Sequence, residues 1–220
     1  MTNPYGIVDT FEKAIAEYAG SKYAVAVESC TAAIFLSLVY QKQFGSYWDE
    51  QRFDEYGERN NVISLPTHTY PGVACSIIHA GFNIVFRTGD WNNWEGAYQL
   101  YPLHIWDSAL RFKKGMYIEK TFYCLSFHVK KILPIGRGGM ILTDNKDAYE
   151  WFKKARFDGR SPVPLLQDNF TMLGYNCYMQ PEQAARGLQL LQALGDRELQ
   201  DLDVEKQGYP NLSLFDVYKQ

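Results

Sequence analysis

The stretch FEKAIAEYAGSKYAVAVESCTAAIFLSL, Phe11 to Leu38, decides the architecture. Within residues 8–19, Phe11, Ile15 and Tyr18 recur at helical spacing. Gly20 is the natural stop, since a residue without Cβ enters the left-handed region that ends helices. YAVAV, Tyr23 to Val27, is then a short β-rich run. Ser29-Cys30-Thr31 makes a tight turn, and AAIFLSLVYQKQ from Ala32 reads as a buried helix. Helix, strand, turn and helix in that order is the unit of an α/β protein.

Working outward, the same alternation continues. NVISLP (Asn61 to Pro66) is the next strand and Tyr70 to Ala80 the next helix. Further strands are expected at Asn83 to Thr88, Leu100 to Asp107, Thr121 to Phe127 and Gly138 to Asp144. Lys146 to Phe157 and Glu182 to Leu194 read as helices, with Pro181 as a first-turn residue. Gly45 to Asn61 is polar and aromatic without a period, and is expected to be a loop or insertion. The tail after Asp201 is weakly patterned and fits a strand, a docking arm or a disordered end. The whole predicts one domain over residues 1–220, a three-layer α/β/α sandwich around a mostly parallel sheet.

Composition narrows the functions. With 220 residues, 46% of them apolar, the chain can build one sizeable core. A net charge of −3 gives no electrostatic reason to bind nucleic acid. Cys30, Cys75, Cys124 and Cys177 lie far apart and form no CxxC pair, so reduced thiols in a cytoplasmic protein fit better than a disulfide framework or a metal site. The N-terminal residues show no signal-peptide pattern, and no apolar run reaches membrane-spanning length.

In a sheet of this kind ligands sit beyond the carboxyl ends of the strands. That rule selects Ser29 to Thr31, Thr67 to Tyr70, Asp107 to Ala109 and Ser126 to Lys131. Asp107 ends an apolar strand, where it either caps a following helix or faces a protonated ring nitrogen. Lys130 and Lys131 follow a strand and precede a glycine-rich turn; they form a solvated face, or one of them offers an amine that condenses with an aldehyde. The amides after Ser29 can hold a phosphate at a helix N-terminus, and Ser29 or Thr31 can equally be a plain cap. Tyr70 either stacks on a planar group or packs in the core. His68 and His128 flank this region, whereas His79 and His104 read as structural.

Taken together, these pieces resemble the DegT/DnrJ/StrS family of sugar aminotransferases, which depend on pyridoxal 5′-phosphate (PLP). Phe11 to Leu38 is similar to that family's opening helix, first strand and phosphate turn. LPTHTYPGVACSIIHAG resembles its second strand and cofactor-stacking helix, and HIWDSALRF its EDAAHA segment. SFHVKKILPIGRGGMILTDN resembles the segment that carries the Schiff-base lysine, and LGYNCYMQPEQAARGLQLLQAL the GYNYRMSDIQAAIGLAQL segment. The resemblance implies the large domain of the aspartate aminotransferase-like, type I fold.

Residue by residue, it implies that Lys131, five positions before the glycine opening Gly136 to Gly139, holds PLP, and that Asp107 meets the ring nitrogen. Cys30, Thr31 and Ser126 would bind the phosphate and Tyr70 would stack on the ring. Asn176 would reach the phosphate of a neighbouring subunit, so a homodimer with shared active sites is expected. The implied activity moves an amino group, by family habit from glutamate, to a keto group of a nucleotide-linked sugar.

Dehydratase relatives carry His in place of the lysine, and this chain keeps Lys131. Cys30 replaces a usual glycine, Leu110 stands at a frequent His or Gln, Arg137 at a frequent Glu and Tyr178 at a frequent Arg. Only eighteen residues separate Thr88 from Asp107, where relatives have an additional strand and helix. The expectation is a shortened form without the usual C-terminal small domain, the tail over residues 196–220 replacing part of it. An alternative that follows is a PLP-fold binding or regulatory subunit that works with a partner chain.

Overall fold

The computed structural model describes residues 5–45, 61–87, 89, 94–195 and 197–219. Helix α1 spans Gly6–Ala19, strand β1 Tyr23–Val27 and α2 Cys30–Phe44. Then come β2 Val62–Pro66, α3 Pro71–His79, β3 Asn83–Arg87, β4 Tyr98–Gln99 and β5 Ile105–Ser108. The chain continues through β6 Phe122–Ser126, β7 Gly139–Thr143, α4 Lys146–Ala155 and α5 Pro181–Leu194. Of the loop expected over Gly45 to Asn61, residues 46–60 lie outside the described residues.

Local chemistry sets these boundaries. Gly20 ends α1 at φ 85° with its N–H donating to the Ala16 carbonyl. Ser29 starts α2, its hydroxyl accepting from the Ala32 N–H at 3.1 Å. Asn145 does the same for α4 through the Ala148 N–H at 3.0 Å. Pro181 opens α5 behind a reciprocal cap between Gln180 and Gln183.

Five strands pair in the order β1-β7-β6-β5-β4, and β2 pairs with β3. β7 is antiparallel to both β1 and β6, and β5 is parallel to β6, so β1, β5 and β6 share one direction. β2 joins the larger sheet through an antiparallel bridge, the Ser64 N–H donating to the Tyr101 carbonyl at 2.8 Å. The segment around Tyr101 continues β4, which opposes β5. β2 and its parallel neighbour β3 therefore run with β5. Five of the seven strands point one way, as the α/β reading expects, and only β4 and β7 oppose them.

Alternation along the strands builds two cores. Val25, Val27, Phe122, Cys124 and Ile141 face one core, which is covered by α2, α3 and α4. Ala24, Ala26, Tyr123, Leu125, Met140 and Leu142 face the other, which is covered by α1 and α5. Helices on both faces complete the three layers.

One expected strand is corrected. Leu100 to Asp107 is not a single strand: residues 100–104 turn β4 back into β5, which starts at Ile105, and the Leu100 N–H donates to the Ile105 carbonyl at 2.8 Å. Pro102 sits inside the turn, where its lack of an N–H costs no ladder bond. The C-terminal segment forms no strand. It docks through short 3₁₀ turns, with Asp201 bound to Arg111 at 2.7 Å and Lys113 at 2.9 Å, and with Leu212 buried.

A buried ion cluster fastens α1 to the far side of the sheet. The Glu12 carboxylate accepts from the Ala26 N–H at 2.8 Å, from Lys153 Nζ at 2.7 Å and from the Arg156 guanidinium. Arg156 also donates to the Ala26 carbonyl at 2.5 Å. Replacing Glu12 with Ala leaves a buried guanidinium without its counter-charge, and should lower stability by about 3–5 kcal/mol. Urea unfolding of Glu12→Ala measures this, and a loss below about 1 kcal/mol would show the cluster to be a surface-like pair.

Candidate active site

Four strand ends and the C-terminal segment enclose a cavity of about 400 Å³, within the range of small-molecule sites. The β1–α2 turn contributes Ser29, Cys30 and Thr31, and α3 with its N-cap contributes Tyr70 and Val73. Asp107 and Ala109 come from the end of β5, and Ser126, His128, Lys130 and Lys131 from the segment after β6. Gln207, Gly208 and Tyr209 close the remaining side.

Two glycines let these walls approach one another. A Cβ on Gly139 would lie 2.3 Å from the carbonyl carbon of Ser29, so the start of β7 packs directly on the β1–α2 turn. The glycine-rich turn thus brings backbone against backbone, a tighter demand than passage beside a ligand. A Cβ on Gly72 would lie 2.8 Å from the Tyr70 ring and 3.0 Å from the Thr31 hydroxyl, which places Tyr70 and Thr31 side by side.

Asp107 is almost completely buried. Its Oδ2 accepts from the Tyr98 hydroxyl at 2.9 Å and its Oδ1 from the Ala109 N–H at 3.0 Å, with the Cys30 thiol 3.7 Å from Oδ1. Burial pushes its carboxyl above the usual range, opposed by the Tyr98 and Ala109 bonds and by the Lys131 charge. Among the described residues, no Lys, Arg or His nitrogen lies within the 4.0 Å of an ion pair from its oxygens. A buried anion without a cationic partner, facing a cavity, suits a ligand that brings a positive charge.

Lys131 is half-buried, while its neighbour Lys130 is exposed. Its Nζ donates to the Tyr209 hydroxyl at 3.4 Å. Burial pushes this amine below the ordinary lysine range, opposed by its attraction to Asp107. The Cys30 thiol is pushed well up, first by burial and then by the Asp107 charge, so it stays protonated. The first-turn N–H groups of Cys30 and Thr31 have no intrahelical acceptor and open an anion site beside Ser126.

Of the residues selected from sequence, Cys30, Thr31, Tyr70, Asp107, Ser126 and Lys131 therefore line one cavity. Asn176 does not. It lies at an exposed bridge to Phe157, its side-chain amide donating to Asp158 at 3.0 Å. His128 lines the cavity, whereas His68 holds the backbone carbonyl of Tyr209 at 3.1 Å from its Nδ1. Two residues went unforeseen. Tyr98 becomes visible only when β4 and β5 are read as a hairpin, and Tyr209 lies in a tail with no periodic signal.

A family model described as the DegT/DnrJ/EryC1/StrS aminotransferase family matches residues 1–96 and 117–203. The spore coat polysaccharide biosynthesis protein SpsC of Bacillus subtilis is 27% identical over 238 aligned positions, which cover 87% of this chain and 58% of SpsC. An uncharacterized protein of Methanocaldococcus jannaschii is 25% identical over 190 positions, covering 69% of this chain and 46% of its own. The chain thus spans about half the length of these relatives.

Helicobacter pylori PseC, an aminotransferase involved in the biosynthesis of pseudoaminic acid, superposes with a TM-score of 0.71 at 16% identity, over 97% of this chain and 80% of PseC. The sugar aminotransferase CalS13 from Micromonospora echinospora gives 0.68 at 17% identity, over 84% and 60%. At such identities the likeness is one of fold, the type I fold of PLP-dependent aminotransferases.

The shift at Lys131 has a direct chemical readout in the protein without any ligand. A lower pKa leaves more neutral, nucleophilic amine at a given pH. Competitive acetylation followed by mass spectrometry should give Lys131 a titration midpoint below the ordinary lysine range. A midpoint within that range would remove the electrostatic effect of burial on this amine.

Proposed function

The chain belongs to the DegT/DnrJ/EryC1/StrS aminotransferase family, and from that premise we propose that it is a PLP-dependent aminotransferase acting on a keto sugar. The observation that carries the reading is the cavity itself, where the half-buried amine of Lys131 and the unpaired, buried carboxylate of Asp107 share one enclosure.

When bound, the cofactor supplies an aldehyde that condenses with an amine, releasing water, and a pyridine ring that draws off electron density. The residues fit that group. Lys131 would hold the aldehyde carbon, and Asp107 would hold the ring nitrogen protonated. The amides of Cys30 and Thr31, with the Thr31 and Ser126 hydroxyls, would hold the phosphate. Tyr70 would cover the ring. Lys131 would also serve as the base that takes the proton from the amino donor's α-carbon, a task favoured by a depressed amine pKa.

Glutamate as the donor and a nucleotide-linked keto sugar as the acceptor are the substrates we assign. The likeness to CalS13, a sugar aminotransferase, supports a sugar as the acceptor. The C-terminal segment closes the substrate side. It is fastened there by the Leu212 N–H donating to the Thr67 carbonyl at 2.8 Å and by the Lys131–Tyr209 contact. Asn176 is exposed and outside its own cavity, and the assembly we assign is a homodimer in which it reaches the site of the second copy. The cysteines of this chain are free, in keeping with a cytoplasmic protein. No helix among the described residues is long and apolar enough to cross a membrane.

The decisive test is covalent attachment. Borohydride treatment of the protein with PLP should fix one cofactor to Lys131, identified by peptide mass spectrometry, and Lys131→Ala should lose the label completely. A label retained in Lys131→Ala, or found on Lys130, overturns the assignment.

A further inference from the structure

β4 places Tyr98 directly across from Asp107 in the antiparallel register, so both side chains share one face of the sheet. Both are buried to within 3% exposure, out of reach of solvent donors. A phenol has one proton, and the Tyr98 proton goes to Asp107 Oδ2 at 2.9 Å. The 2.5 Å contact between the Tyr98 oxygen and Thr69 Oγ1 must then run the other way, with Thr69 donating. The result is an oriented chain, Thr69 to Tyr98 to Asp107, that delivers its last proton to the carboxylate. Burial and the neighbouring carboxylate keep the phenol protonated well beyond neutral pH, so it remains a donor.

We propose that Tyr98, backed by Thr69, is a positioning residue that keeps Asp107 ionised and thereby leaves the proton on the cofactor's ring nitrogen. This rests on the reading of Asp107 as the partner of that nitrogen. One proton lies between carboxylate and ring. A bond donated to the carboxylate favours the form in which the ring carries it, and loss of that bond moves it toward the acid. Burial alone drives Asp107 the wrong way for this purpose, which is why an added donor matters. The Tyr98–Asp107 pair lies within residues 97–116, between the two stretches that the family model matches.

The test loads the full chain with PLP carrying ¹⁵N at the ring nitrogen and reads the nitrogen resonance. Wild type should show a protonated ring. Tyr98→Phe, which keeps the ring and its packing, should move the resonance toward unprotonated pyridine. Thr69→Val should move it less in the same direction, and Thr69→Ser should restore it. A wild-type resonance in both Tyr98→Phe and Thr69→Val, with a displaced one in Asp107→Asn, overturns the role of Tyr98 and leaves Asp107 in place. A wild-type resonance in Asp107→Asn as well overturns both readings. Should Tyr98→Phe fail to fold, the Thr69 pair decides the matter alone.

Discussion

Holding the Asp107 carboxylate out of water is costly unless donors replace its hydration, and the surrounding chain is arranged to supply them. Tyr98 comes from β4, the Ala109 amide from the residue after β5, the Cys30 thiol from the start of α2, and the Lys131 charge from the segment after β6. Each of these groups is fixed by a feature with its own local cause. The β4–β5 hairpin sets the register of Tyr98, and the Ser29 cap and Gly139 fix where α2 begins. The site is the meeting point of elements that would otherwise be separate, and the buried acid is what they have in common.

Much of this was legible in the sequence because the signals were periodic or punctuated. Tyr23 to Val27 alternates between two apolar cores, Gly20 and Ser29 bracket it with an αL stop and a cap, and the strand-end rule then selects the residues that line the cavity. What escaped had no period to read. Leu100 to Asp107 is apolar enough to pass for one buried strand, and only the turn around Pro102 shows that β5 begins at Ile105. Tyr209 reaches the cavity on a segment of short 3₁₀ turns, held by single contacts such as Leu212 with Thr67. Contacts of that kind depend on the tertiary surface beneath them and leave no repeating trace.

The site also divides along its relation to the family. Cys30, Thr31, Tyr70, Ser126 and Lys131 stand in stretches that the family model covers, whereas Tyr98 and Asp107 stand in the one that it skips. The walls of the cavity thus come both from the matched stretches and from the short β4–β5 hairpin between them. Tyr209 lies beyond the matched residues as well, and it faces the amine of Lys131.

The pairing of β1 with β7 bears on how such a molecule assembles. Tyr23 lies opposite Thr143, and the clamp between Glu12 and Arg156 bridges 144 positions of chain. Neither contact rewards the chain until a long loop has closed, and loop closure of that kind slows folding. β1 should therefore join the sheet late, after β6 and β7, neighbours in both sequence and space, have paired. Until it does, the edges of β1 and β7 stand open to any other strand, which makes the nascent chain a natural client for chaperones.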